Sequence, residues 1–421
     1  MAGEMVFSTM GKLGKRREQI MKKILTIAVV LAFAFTATWV NAQERYVGGG
    51  FEMSGHVVTG LGYQHNNNKT GTEVANDGDR TTYPGPIGAY LGKLGPLGTP
   101  EGGNDNVSFF VDQIELDIMK SFGENVRLRA DLDFGRINSS GIGSQAFVLE
   151  QAYATANIPV GNGIEFLLGR FNTPMGFESV DVAANDLISK SIITRALRPV
   201  NNTGMKIYYA FSDLVDFHFY VVNTLMQDTI NRGNTLPAFG MRLGFNWGEE
   251  GTESTFGISG FMGPDNIDTN KNLSFGGDVD LNWWITESFA LGLEGLFRRD
   301  NSVTRGKTVA AGQNTMYMGG LLNLHYVFSD VWDGTLRYTF AKQFQGGTTA
   351  AAAAGSIYNL TGAQQSIHEI TLGGAYAIAD GAKFKLEGRF DIVKPSQAIR
   401  AVAGFGTEYV YGAVAGFVYD F

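Results

Sequence analysis

Two stretches of the chain place carboxylates two residues apart: Asp131 with Asp133 in "VRLRADLDF", and Asp278 with Asp280 in "NLSFGGDVDLNWWI". Side chains at that spacing on a strand share a face, where a pair of acids could exchange a proton or hold a hard cation. Arg127 and Arg129 alternate into the same face of the first stretch. Charge compensation between neighbours on a wet wall is therefore the simpler reading. The five His (His56, His65, His218, His325 and His368) include no i, i+4 pair, so a helix-borne zinc motif is absent. No Gly-x-Ser-x-Gly occurs, and the chain has no Cys to supply a thiolate ligand or a disulfide. Its Gly-rich pieces lack phosphate-loop spacing. The expectation is no catalytic residue, no metal site and no cofactor.

What must position these charges is a series of strands. In "NLSFGGDVDLNWWI", Leu273, Phe275, Val279, Leu281, Trp283 and Ile285 oppose Ser274, Asp278, Asp280 and Asn282. In "KFKLEGRFDI", Phe384, Leu386, Phe390 and Ile392 oppose Lys383, Lys385, Glu387, Arg389 and Asp391. Alternation of period two marks a strand with two unlike faces. It recurs near 48–64, 107–119, 126–137, 146–157, 164–171, 203–211, 215–224, 237–247, 254–262, 272–285, 289–299, 314–328, 334–344, 366–378, 383–393 and 407–421, about sixteen segments in all. The fold class is all-β. Short connections such as 121–125, 212–214, 286–288 and 379–382 alternate with long ones such as 65–106, 172–202 and 345–365. Short turns on one rim and long loops on the other describe an antiparallel up-and-down transmembrane β-barrel, its turns periplasmic and its loops extracellular.

The apolar face would meet outer-membrane lipid. Phe122, Phe211, Trp247, Trp283, Trp284, Phe328 and Trp332 near the short turns would form the interfacial girdle. The polar face would line the lumen with Glu115, Asp117, Arg127, Arg129, Asp131, Asp133, Lys206, Arg242, Asp278, Asp280, Arg298, Arg337, Lys385, Glu387 and Arg389. The chain ends "YVYGAVAGFVYDF", with Tyr409, Tyr411, Phe417, Tyr419 and Phe421 in one register. This is expected to be the closing strand, paired with the first to remove both open edges.

The N-terminus reads as an export signal. Met21 begins "MKKILTIAVVLAFAFTATWVNA", two Lys before an uncharged run and a small Ala42 at the cut, so residues 1–42 are a signal peptide preceded by a mis-called start. Residues 43–421 are then the barrel. Losing 1–42 removes six Lys/Arg and two acids and leaves a net charge of −12. That balance argues against nucleic acid as a partner.

One region is more specific. In "LLGRFNTPMGFESVDVAANDLISKSIITRALRPVNNTGMKIYYAF" (167–211), Leu168-Gly169-Arg170-Phe171 is followed by Phe177-Glu178, Asn185, Ser189 and Ser191, Pro199 and Thr203-Gly204. With "LEQAYATANIP" (149–159) before it, this stretch resembles the OmpL-like β-barrel porins of Gram-negative bacteria. The resemblance implies passive diffusion of small polar solutes or ions. It carries over neither a known solute nor a catalytic residue. A terminal Phe behind alternating aromatics resembles the C-terminal signal that the barrel-assembly machinery reads. Mixed charges predict weak ion selectivity, and a homotrimer follows by analogy. An adhesin or surface receptor acting through the 65–106 loop is the alternative from another class, and a barrel hydrolase a weaker one.

The 172–202 connection is too long for a plain hairpin loop. It carries Glu178, Asp181 and Asp186, then Lys190, Arg195 and Arg198. Val182, Leu187, Ile188 and Ile192 suggest a short helix with an apolar side. The segment is expected to fold into the lumen, pack that side on the wall and present its six charges as a constriction.

Overall fold

The computed structural model describes residues 50–66, 105–137, 145–225, 236–264, 273–300, 315–345, 365–395 and 408–421. The proposed export signal and most long loops, including nearly all of 65–106, lie outside the described residues. In chain order the strands are β1 (Phe51–Asn66), β2 (Asp105–Phe122), β3 (Val126–Ile137), β4 (Gln145–Ile158), β5 (Ile164–Asn172), β6 (Asn201–Ala210), β7 (Val215–Val222) and β8 (Ala238–Trp247). They continue as β9 (Ser254–Pro264), β10 (Leu273–Thr286), β11 (Phe289–Asp300), β12 (Thr315–Ser329), β13 (Trp332–Gln345), β14 (Gln365–Ala379), β15 (Ala382–Pro395) and β16 (Glu408–Asp420). Each pairs antiparallel with its neighbours in sequence, and β16 pairs with β1, so the sixteen strands form one closed barrel.

Closure satisfies the backbone groups that an open sheet would leave bare in lipid. The β1–β16 ladder runs from His56 opposite Asp420 to Asn66 opposite Val410. Beyond it the backbones of Gly55 and Phe421 exchange two hydrogen bonds of 2.9 Å. Phe51 faces Lys120 beside the short β2–β3 turn, so both ends of the barrel share the short-turn rim, as an even strand count requires. Along β10, Asp278 and Asp280 are buried inside while Val279, Trp283 and Ile285 are exposed outside. Phe122, Phe211, Trp247, Phe328 and Trp332 are likewise exposed near the short turns. Trp284 departs from the expected girdle. Consecutive residues on a strand point to opposite faces, so with Trp283 outward Trp284 turns inward, edge-on to His325 at 5.8 Å between ring centroids.

The segment between β5 and β6 is described throughout, and it packs against the lumen wall. Ile192, Ile193 and Leu197 bury against Leu296, Tyr317, Leu321, Ala341 and Ile367, all on the inner face of β11–β14. Val182 and Ile188 bury against Val58, Phe110, Val414 and Val418 on β1, β2 and β16. The short helix expected around Val182–Ile192 does not form. Among the described residues, regular helix is confined to one π-helical turn, Ile193–Leu197. The reason is a competition for backbone N–H groups. Those of Ile188, Ser189, Ser191 and Ile192 are taken by carboxylates of Glu387, Glu178 and Glu369, which removes these four from an i−4 ladder.

Candidate functional site: the lumen and its inward segment

The wall holds the segment by its backbone. Acids accept from its N–H groups: Glu294 from Phe177 at 3.0 Å, Glu387 from Ile188 at 2.9 Å and Glu369 from Ile192 at 2.8 Å. Bases donate to its carbonyls: Arg298 to Leu197 at 2.8 Å, Arg389 to Lys190 at 3.0 Å, and Lys385 to Asn185. Where the segment crosses, the wall has glycines. A Cβ on Gly416 would lie 2.3 Å from Ile188, one on Gly373 2.5 Å from Leu187, and one on Gly292 2.4 Å from Phe177. Side chains of the segment thus sit in sockets that only a missing Cβ leaves open.

Glu178 is the hub of the fastening. Its carboxylate pairs with Arg337 and accepts from the Ser191 N–H at 2.9 Å, the Ser191 hydroxyl at 2.7 Å and the Thr194 hydroxyl at 2.6 Å. Burial alone would raise this carboxyl, but Arg337 and the hydroxyl and amide donors outweigh it and hold it at about 2. Arg198 donates to the carbonyls of Met175 and Glu178. Asn185 closes the preceding turn, donating to the carbonyls of Ser179 and Asp181 and accepting from the Ser179 N–H.

These contacts redirect several charges assigned to the open channel. Arg298, Arg337, Lys385, Glu387 and Arg389 all lie beneath the segment, none more than 5% exposed. Face alternation puts them on the inner register of their strands but does not reveal what covers them. Glu178 and Arg198 are 5% and 3% exposed and turn from open space to partners, Glu178 to Arg337 of the wall and Arg198 to carbonyls of the segment itself, because buried charges require them. Lys190 directs its ammonium at the Val180 carbonyl. The Arg195 side chain lies outside the described residues. Asp186 remains accessible, accepting from Asn323 at 2.8 Å and facing His325 at 3.6 Å, on a cavity of about 170 Å³ that Trp284 also lines.

The other arc of the lumen carries its own charges. Arg129 bridges Asp131 at 2.7 Å and Asp117 at 3.5 Å, and Arg242 makes a two-pronged contact with Asp280. Lys206 stands 5.5 Å above the Phe171 ring. Arg127 is exposed beside the short β2–β3 turn. Glu115, Asp133 and Asp278 are buried in the wall. Asp181 of the segment approaches this arc. Burial, and Glu150 opposite it, push the Asp181 carboxyl up to about 7. Several lumen acids escaped the sequence reading, Glu150, Glu294, Glu369, Asp216 and Asp300 among them. The parity of "LGLEGLF" and "IHEITL" marks Glu294 and Glu369, since each falls on the inner register of its strand.

A closed barrel with an apolar exterior, a lumen lined by both signs of charge and a segment folded across it defines a porin-type outer-membrane barrel. The profile of the family described as "Putative beta-barrel porin-2, OmpL-like" matches residues 50–416. The chain belongs to that family. Among solved structures it is similar to the outer membrane channel DcaP of Acinetobacter baumannii, at 12% identity over 89% of this chain and 99% of that one, with a TM-score of 0.57. It is also similar to the anion-selective porin from Comamonas acidovorans, at 13% identity over 88% and 99%, TM-score 0.55. A loop L8 deletion mutant of OmpT of Vibrio cholerae matches at 10% identity over 88% and 99%, TM-score 0.51. At these identities the likeness is one of fold. A comparison with curated proteins gives no match. Family and fold point to a channel rather than an enzyme.

Proposed function

We propose that the barrel is a passive diffusion channel in the outer membrane for small hydrophilic solutes or ions, with weak charge selectivity. The observation that carries this reading is the division of the lumen. One arc is consumed in fastening the segment 173–200. The opposite arc keeps Arg129, Asp117, Arg242 and Lys206 only partly buried. A path between segment and arc would meet both signs of charge, which favours neither cations nor anions strongly. The segment would form its narrowest part, with Asp181 and Asp186 as its accessible charges. Export by the 1–42 signal, assembly through the C-terminal strand and a homotrimer in lipid belong to the same reading.

Planar-bilayer recording of the refolded chain tests it. Stable ohmic steps with a reversal potential near zero in a salt gradient are the expected result. A silent bilayer from correctly folded barrel would overturn the reading.

A further inference from the structure

We infer that the cavity lined by Asp186 and Trp284 binds a small organic cation, a protonated amine whose ammonium meets Asp186 and whose carbons lie against the indole. That the cation is a solute in transit rests on the channel reading; its binding does not.

The wall makes the hollow by setting small residues between large ones. Trp284 of β10, Ala290 of β11 and His325 of β12 stand in one row across three strands, close to the short turns. Asn282, Gly292 and Asn323 stand in the next row. β11 thus gives a low floor between flanks that rise on both sides. The Phe177 ring sits over Gly292, and Asp186 of the segment joins the lining. The space of about 170 Å³ equals roughly six waters at ~30 Å³ each, which suits an ammonium bearing a few carbons.

Asp186 has accepting capacity to spare. Its side chain is 33% exposed. Oδ2 accepts from Asn323 at 2.8 Å, and Oδ1 accepts from no group among the described residues. His325 Nδ1 stands 3.6 Å from that oxygen and is already bonded to Thr335 at 2.9 Å. No Lys or Arg pairs with Asp186 among the described residues. Lys385, which reaches this turn, directs its ammonium to the Asn185 carbonyl instead. An ionised carboxylate offers about four lone-pair sites, and one is filled here. The vacancies are acceptors beside a negative charge. A cation rich in N–H groups fills them with charge-assisted bonds, whereas a neutral alcohol brings one donor and no charge.

Trp284 supplies the apolar side. Its ring stands at 81° to that of His325 rather than stacked on it, and no cation meets the indole among the described residues. A cation within about 6 Å of an indole centre is attracted by the ring's negative face. The Asn282 side chain, one row away, also has no protein partner among the described residues, and its carbonyl is a further acceptor.

The test titrates the full refolded barrel in detergent with n-propylammonium, read by ligand-observed NMR. Saturable binding is expected, with 1-propanol bound at least tenfold more weakly and K⁺ displacing the amine only in large excess. Asp186→Asn should weaken binding at least tenfold, and Trp284→Leu about two- to thirtyfold, the range of a cation–π contact. Asp216→Asn, which removes an acid elsewhere in the wall, should leave it unchanged. Absence of saturable binding overturns the site, as does equal binding of 1-propanol, displacement by K⁺ at equal concentration, or binding that survives Asp186→Asn. Equal loss in Asp216→Asn would reduce the site to diffuse lumen charge and overturn it too. Should Trp284→Leu fail to refold, Asp186→Asn decides alone, since that residue lies outside the strand ladder. Ohmic steps without amine binding would sink the site and leave the channel; amine binding to a barrel silent in a bilayer would do the reverse.

Discussion

Replacing Glu178 by Gln keeps the shape of the hub and removes its charge. The magnitude follows from the carboxyl itself. It is fully buried, and its shift from an ordinary 4.5 to about 2 corresponds to about 3 kcal/mol of preference for the docked, ionised state. Breaking a buried ion pair by removing one partner costs a similar ~3–5 kcal/mol. The remaining anchors through Glu387, Glu369, Arg298 and Arg389 are untouched. The barrel should therefore fold, but the population of undocked segment should rise roughly a hundredfold. Trypsin reads this directly, because Lys190 and Arg195 lie in the segment before residues other than Pro, whereas Arg198 precedes Pro199 and resists cleavage. Where opening is fast relative to cleavage, the cutting rate tracks the open population. Glu178→Gln should thus be cut after Lys190 or Arg195 roughly a hundred times faster than the parent, and its single-channel current should be noisier. The pH dependence has a fixed sign. A depressed carboxyl stabilises the docked state fully above about 4.5, and that stabilisation is lost as pH falls from 4.5 through 2. The parent at pH 2 should then gate as the variant does at pH 7. Equal cutting rates for parent and variant would refute the assignment of Glu178 as the hub.

Three further outcomes are expected. Leu281 faces outward near the middle of β10 opposite Phe256 and Leu293, so Leu281→Arg should destabilise the barrel by ~2–4 kcal/mol in bilayers; unchanged urea unfolding would mean that β10 is inverted. Gly416→Val puts a side chain where the Ile188 terminus already sits, and should loosen the segment by ~1–3 kcal/mol without breaking the β15–β16 ladder, seen as faster trypsin cleavage at normal barrel stability. Removing Phe421 deletes the two backbone hydrogen bonds to Gly55 and the last lipid-facing ring, so yield of heat-modifiable barrel should fall; parental yield would show that closure does not depend on it.

Strand positions were legible because the wall separates two unlike media. Each residue of "VRLRADLDF" must choose lipid or water, and the choice writes itself into the sequence as period two. Trp284 was misplaced only where a residue-type cue, an indole near a turn, was allowed to override that period. The fate of the charges was less legible. Parity assigns Arg337 and Glu387 to the lumen, but whether a lumen residue meets water or backbone depends on a segment some 150–200 positions away in the chain. The apolar residues Leu187, Ile188, Ile192 and Ile193 do announce that the segment needs a surface to cover it. They do not announce its conformation, because the carboxylates that displace the helical hydrogen bonds belong to β14 and β15 as well as to Glu178.

The residues that carry the family resemblance acquire a common physical role in the structure. Phe177 fills the Gly292 socket, Glu178 fastens Arg337, and Asn185 closes the turn between them and the Leu187–Ile188 knobs. Ser189 accepts from Arg337, Ser191 donates to Glu178, and the Pro199 carbonyl accepts from Thr173 at the segment's other end. Gly169 of the preceding strand has a φ of 143°, and a Cβ there would lie 2.2 Å from the Ala152 carbonyl. None of these side chains is arranged to bind a solute; each holds the segment, or the strand that launches it, against the wall. The motif therefore encodes the shape of the lumen, and in the channel reading the arc residues, with Asp181 and Asp186 of the segment, are the charges left to act on a solute. Exchanging Arg129 and Arg242 for neutral residues should move ion preference toward cations while leaving the segment's resistance to trypsin unchanged. A variant in which both properties moved together would show that the two arcs are not independent.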